Sequence, residues 1–174
     1  MADFEIQDYL ASINLGRLGT GTLEGRITNM IVEEDDGTGF KENTVIRSDS
    51  VWKITVEWEL AGTVLDPPAI LLIPGAWKVK AYLEGWGAGA TDHDRDGDSG
   101  NISVMSRVLG NVSRTGSGES AWLYSDSVTF RSGDVGAGPY KLAITVTYED
   151  PPGTPGPMAG FVEFNNMIQI YQAT

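Results

Sequence analysis

The sequence predicts an all-β protein, an antiparallel β-sandwich of about seven to nine strands, preceded by an N-terminal arm or short helix. Three observations carry this prediction. Val51–Leu60 alternates for ten residues, with Trp52, Ile54, Val56, Trp58 and Leu60 on one face and Lys53, Thr55, Glu57 and Glu59 on the other. Gly75–Gly87 and Tyr140–Tyr148 repeat the pattern, and the 22 Gly and 8 Pro fall mostly between such runs as turn punctuation. A strand sends successive side chains to opposite faces, so each run is a strand with one dry and one wet face.

In chain order, residues 3–14 suit a short helix capped by Asp3, with Ile6, Tyr9, Leu10 and Ile13 on one stripe and Gly16 past its end, or an extended arm. The arm or helix takes residues 1–21 and a single sandwich domain takes 22–174. Thr22–Val32 alternates imperfectly and is expected to be an edge strand. Glu33–Gly39 is an acidic turn built on Asp36-Gly37, and Thr44–Arg47 is a short strand. Val51–Leu60 is the central strand, because two Trp on one face each bury roughly 150–250 Å². Asp66-Pro-Pro68 marks a crossing loop, since Pro gives no ladder hydrogen bond.

The Gly75–Gly87 strand places Trp77, Val79, Ala81 and Leu83 opposite Lys78, Lys80, Tyr82 and Glu84. It is expected beside Val51–Leu60, with Lys78 and Lys80 facing Glu57 and Glu59. Ile102, Val104 and Val108 begin a further strand. Trp122, Tyr124, Val128 and Phe130 can face inward if a bulge or bend falls near Ser125–Ser127. Tyr140–Tyr148 is the cleanest alternation, a proline-rich turn follows over 150–157, and Met158–Tyr171 is expected to switch faces at Asn165-Asn166.

A strand with buried Trp, a Trp-x-Val-x-Ala strand (Trp77–Ala81) and a Gly-x-x-Tyr-x-Leu-x-Ile strand starting before Tyr140 resemble those of immunoglobulin-like and fibronectin-like sandwiches. The resemblance covers about residues 44–172 and lacks the paired cysteines of antibody domains. It implies a fold and no particular activity.

At 174 residues the chain suits one domain, large enough to bury about 70% of its unfolded surface. A formal charge of −12 repels nucleic acid and anionic membranes. No run of apolar residues is long enough to insert in a membrane. With no cysteine there is no disulfide, thiolate catalysis or Cys-bound zinc. The N-terminus lacks a basic start and apolar run, so the expected location is the cytoplasm, or release without a classical signal peptide as part of a particle.

Asp92, Asp94, Asp96 and Asp98 alternate through Asp92–Asp98. Asp92, Asp94, Asp96 and Gly97 match the first, third, fifth and sixth positions of a calcium loop, but Ser103 stands where a bidentate Glu is needed. A solvated acidic hairpin loop fits the same residues. Hence Ca2+ is a possible cofactor and none is required. His93, the only histidine, would have to serve any Ser–His–Asp mechanism, and no Gly-x-Ser-x-Gly elbow supports one. Glu57 and Glu59 have the spacing of any polar strand face as well as of a carboxylate pair. Trp86, at a strand end beside the acidic loop, is the candidate ligand-binding aromatic, for a glycan.

No cofactor loop or catalytic set emerges, so the chain reads as no enzyme. The expectation is a non-catalytic structural or interaction protein, a self-assembling or particle-decorating subunit with protein partners and a homo-oligomeric or larger assembly. A phage-like or injection-type particle is one concrete setting. Long alternating strands and the apolar final segment around Met167–Tyr171 supply edges for strand addition. The alternative is a carbohydrate- or calcium-binding module, and a hydrolase ranks third.

Overall fold

The computed structural model describes residues 2–3, 5–6, 24–62, 76–87, 90–100, 102–103, 120–149 and 154–172. Within them the chain is β-strand arranged in two sheets, sandwich-like, and no residue is helical. Two short N-terminal segments, β1 (Ala2–Asp3) and β2 (Glu5–Ile6), are followed by β3 (Glu24–Asp35), β4 (Phe40–Glu42), β5 (Val45–Arg47) and β6 (Trp52–Gly62). Then come β7 (Ala76–Gly85), β8 (His93–Asp96), β9 (Ile102–Ser103), β10 (Ser120–Phe130), β11 (Gly138–Glu149), β12 (Pro155–Glu163) and β13 (Ile168–Tyr171).

The smaller sheet runs β3, β6, β10, all antiparallel, with β1 and β4 pairing the outer side of β3. In the larger sheet β11 is central. β7 lies along one side of it with β8 and β9 beyond, and β12 and β13 share the other. β2 pairs β12, while β5 pairs β13 in parallel.

Alternation decides what each strand buries. Trp52, Ile54, Val56, Trp58 and Leu60 of β6 are buried, as their spacing requires. They face Trp77, Val79, Ala81 and Leu83 of β7 and Tyr140, Leu142, Ile144, Val146 and Tyr148 of β11, all buried in one core. The centre of that core is aromatic. Trp58 stacks on Tyr124 with centroids 5.4 Å apart and meets Trp77 edge-on at 6.0 Å, and Trp77 in turn meets Tyr148 at 5.4 Å. These offset and edge-to-face contacts, spanning the two sheets, are favoured geometries of aromatic pairs.

Several sequence expectations need correction. β7 is not the neighbour of β6. The two stand in opposite sheets with Trp77 against Trp58, so Lys78 and Lys80 face Asp96 and Asp94 on β8 rather than Glu57 and Glu59. Both strands have an equally apolar face, and two such faces are satisfied by stacking across a core as well as by lying side by side. No bulge interrupts β10, whose register with β6 is unbroken from Ser120 to Phe130. Tyr124, Val128 and Phe130 share parity with Asp126, which takes the inward position between them and is buried.

In the smaller sheet the irregularity lies instead in β3, where the register slips between Ile27 and Asn29. The extra residue reverses parity, so Ile27 is buried before the slip and Val32 and Glu34 after it. β3 also continues to Asp35, which shortens the acidic turn. Backbone and side-chain hydrogen bonds there close on Asp36–Gly39, with Gly37 at φ 86°. The final segment breaks between β12 and β13 without changing faces, since Met158, Ile168 and Ile170 are all buried.

The helix expected from Asp3 is replaced, at its described positions, by extended backbone. Ala2 and Asp3 pair with Ile27 and Arg26, and Glu5 and Ile6 pair with Ala159 and Met158. The rest of the 1–21 segment, the Asp66-Pro-Pro68 loop, Val104 and Val108, and the side chain of Trp122 lie outside the described residues.

Candidate functional site

The acidic segment is extended rather than looped. Residues 93–96 form β8 against β7, which sends Asp94 and Asp96 to one face and His93 and Arg95 to the other. Asp94 pairs with Lys80, and this ammonium holds its carboxyl below the usual carboxylate range. Asp96 lies 3.3 Å from Lys78. Asp92 leaves the strand and accepts the Gly85 amide at 2.9 Å, while Asp98 accepts the amide and hydroxyl of Thr129 on β10. The four carboxylates are thus dealt out to four separate partners. Among the described residues no group of three or more His, Asp or Glu side chains is gathered as a metal would need.

The residue between them does the joining. Arg95 pairs with Asp134 and donates to the Thr129 carbonyl at 2.7 Å, tying β8 to the end of the smaller sheet. Two donors, the Arg131 amide first and the Arg95 guanidinium second, hold the Asp134 carboxyl below its ordinary value. Immediately after β8 the chain presses on β10. Gly97 donates to the Val79 carbonyl and Asp98 to the Ser127 carbonyl, while Ser99 and Ser127 amides both reach Oδ1 of the buried Asp126. Gly97 lies against Oδ2 of that carboxylate with no space for a β-carbon. Within Asp92–Asp98, then, Arg95 and Asp98 tie the two sheets together, while Asp92, Asp94 and Asp96 bond to β7 inside the larger sheet.

His93 sits against Tyr140, ring centroids 6.1 Å apart, with Nε2 3.2 Å from the Thr91 hydroxyl. Glu57 and Glu59 share a strand face but not an environment. Glu57 is exposed, whereas Glu59 is buried and paired with Arg26.

Trp86 is exposed, its backbone amide bonded to the Pro139 carbonyl and the Lys141 ammonium 4.5 Å from its ring centre. It stands at one end of the outer face of the larger sheet, whose make-up follows from register. Tyr82, Ala143 and Glu163 form one cross-strand row, and Lys80, Thr145 and Phe161 the next. Tyr82 and Phe161 are 41% and 52% exposed, as large side chains rarely are on a closed sheet. Strand spacing and the two-residue offset along β11 set them roughly 12 Å apart.

At the Trp86 end, the β12–β13 turn rises beside this face and encloses a hollow of ≈ 310 Å³ among Tyr82, Glu84, Lys141, Glu163, Asn165 and Asn166. On the other side of the same turn a second hollow, ≈ 280 Å³, opens toward the β3 bulge at Thr28. In the sequence, its place at a strand end marks Trp86, and nothing marks either hollow. Both depend on where the β12–β13 break falls, and Asn165-Asn166 was its only local signal.

Among the described residues no helix is long and apolar enough to cross a membrane. No protein-family model matches the chain, and comparison with the curated proteins finds no match.

Proposed function

We propose that the protein is a non-catalytic interaction protein, an assembly or particle-decorating subunit whose contact surface is the outer face of the larger sheet. One observation carries this reading. The inner faces of both sheets bury their large apolar side chains, yet the outer face of β7, β11 and β12 keeps Tyr82 and Phe161 in solvent, with Trp86 and Met167 exposed at its end. Small side chains, Ala143 and Thr145, separate Tyr82 from Phe161, and Thr147 and Ala159 continue the face beyond Phe161, which makes a flat patch with charged residues around it. Exposed aromatic patches of this kind mark contact surfaces. The non-catalytic part is supported by two of the catalytic candidates being committed elsewhere, Glu59 held by Arg26 and His93 packed on Tyr140.

An immunoglobulin-like sandwich is the finer fold reading we favour. Its support is the grouping of β3, β6 and β10 against β12/β13, β11, β7 and β8, the parallel pairing of β5 with β13, and Trp77 buried on β7. The Tyr140 hydroxyl also donates to the Gly136 carbonyl at 2.9 Å, as in a tyrosine corner at the turn between sheets.

Light scattering coupled to size exclusion, run over a concentration series, tests the assembly reading. The expected mass exceeds the 18.7 kDa monomer and rises with concentration. Phe161→Asp should return it to the monomer without lowering the melting temperature. A parent chain that remains monomeric at every concentration, and is retained by no protein surface that Phe161→Asp releases, overturns the proposal.

A further inference from the structure

The hollow beside the β12–β13 turn has a chemistry of its own, separable from the flat patch at Phe161. Its rim carries the carboxylates of Glu84 and Glu163, the amides of Asn165 and Asn166 and the ammonium of Lys141. None of the two carboxylates and two amides makes a side-chain hydrogen bond or ion pair among the described residues. Lys141 lies over the Trp86 ring rather than on a carboxylate, although Glu84 is its cross-strand partner. Elsewhere on the same sheet the polar groups are committed, Lys80 to Asp94 and Lys78 to Asp96. Uncommitted donors and acceptors are thus concentrated beside the exposed ring of Tyr82, and the Lys141 that lines the hollow lies over the exposed ring of Trp86.

From this we infer that the hollow binds a neutral saccharide. The inference rests on the reading of this face as the contact surface and names a ligand for one end of it. Carboxylates only accept hydrogen bonds and an ammonium only donates, while amides do both. A ligand whose groups each donate and accept, as sugar hydroxyls do, satisfies all three kinds at once. Two carboxylates against one ammonium leave the rim with a surplus negative charge, which disfavours phosphate, sulfate and acidic sugars. The exposed Tyr82 ring supplies flat apolar surface for the C–H face of a sugar ring, the division of labour usual in small-ligand sites. At ≈ 310 Å³ the space is at the lower bound of such sites, which suits a short stretch of glycan rather than a nucleotide-sized cofactor.

The test is a glycan array probed with the full chain, followed by titration calorimetry with the best neutral oligosaccharide. Tyr82→Ala and Asn166→Ala, both at exposed positions, should each weaken binding tenfold or more while the melting temperature stays within a degree or so of the parent. Phe161→Asp, outside the hollow, should leave the titration unchanged. No neutral glycan bound at millimolar concentration, or binding that survives both hollow variants, overturns the inference, as does selective binding of lysine-rich peptides in its place. Loss of self-association in Phe161→Asp with an empty array would sink the saccharide alone. A chain that neither assembles nor binds glycan removes the contact-surface reading with it.

Discussion

Gly97 lies directly on the carboxylate of Asp126, so that a side chain at position 97 and the Asp126 Oδ2 atom compete for one place. The same β-carbon would crowd Cβ of Val79 at 3.2 Å. Neither neighbour has an easy retreat, because Asp126 is held through Oδ1 by two backbone amides and Val79 is core. Gly97→Ala should therefore destabilise the fold by about 1–3 kcal/mol, the cost of overpacking. Chemical denaturation measures this directly, with Gly136→Ala as control, since a β-carbon there meets nothing nearer than 3.8 Å. In an Asp126→Ala background the Gly97→Ala penalty should shrink, and a double-mutant cycle with no coupling would refute the contact.

Trp58 joins the two sheets through its rings rather than through its N–H. The indole sits between Tyr124 and Trp77, and its Nε1 finds no hydrogen-bond partner among the described residues. Trp58→Ala should cost about 3–5 kcal/mol, as removal of a core aromatic does. Trp58→Phe keeps a ring against Tyr124 and forfeits no hydrogen bond, so about 1–2 kcal/mol is expected, the loss of volume alone. Equal penalties for the two in guanidinium unfolding would mean that the N–H has an acceptor after all.

Stability should fall at high pH for a traceable reason. Burial pushes the Tyr124 phenol well above its ordinary value of about 10, and burial raises Tyr140 as well. A group whose folded pKa is raised stabilises fully below its unfolded value and loses that contribution as pH climbs toward the folded one. The alkaline limb should therefore begin near pH 10, with phenolate absorbance and loss of β circular dichroism rising together. Tyr124→Phe should move that limb to higher pH. Independent, gradual ionisation of all six tyrosines with the sheets intact would count against it. On the acid side Asp134 and Asp94 act in the opposite sense. Their lowered pKa values give stability above about pH 4 that is lost as pH falls through the folded values, and exposure keeps each effect small.

How far the residues themselves disclose the molecule differs from element to element. The buried stripe of β6 and that of β11 follow from alternation with no further information, because the pleat enforces it. The side reversal in β3 was visible only as imperfect alternation, since one inserted residue shifts every later side chain and leaves no mark of its own. At Asp126 polarity is a poor guide to burial. A carboxylate amid Tyr124, Val128 and Phe130 suggested a bulge, whereas the strand stays regular and the incoming backbone of Ser99 supplies its hydrogen bond. Of the candidate site, Trp86 could be named from its position at a strand end, but Glu84, Lys141, Asn165 and Asn166 are scattered over three elements of the chain.

Alternation and turn residues by themselves determined that this protein is all-β, which face of each principal strand is dry, and that Trp52, Trp58 and Trp77 are spent inside. These are local matters, settled by the two-residue period of the pleat and by glycine and proline between strands. Only the tertiary structure decided that β6 and β7 face one another instead of pairing. It also decided that the Asp92–Asp98 carboxylates go to separate partners, and that the β12–β13 turn closes a hollow beside Tyr82. Those outcomes depend on which sheet each strand joins, and apolar faces of equal quality specify burial without specifying the neighbour that provides it.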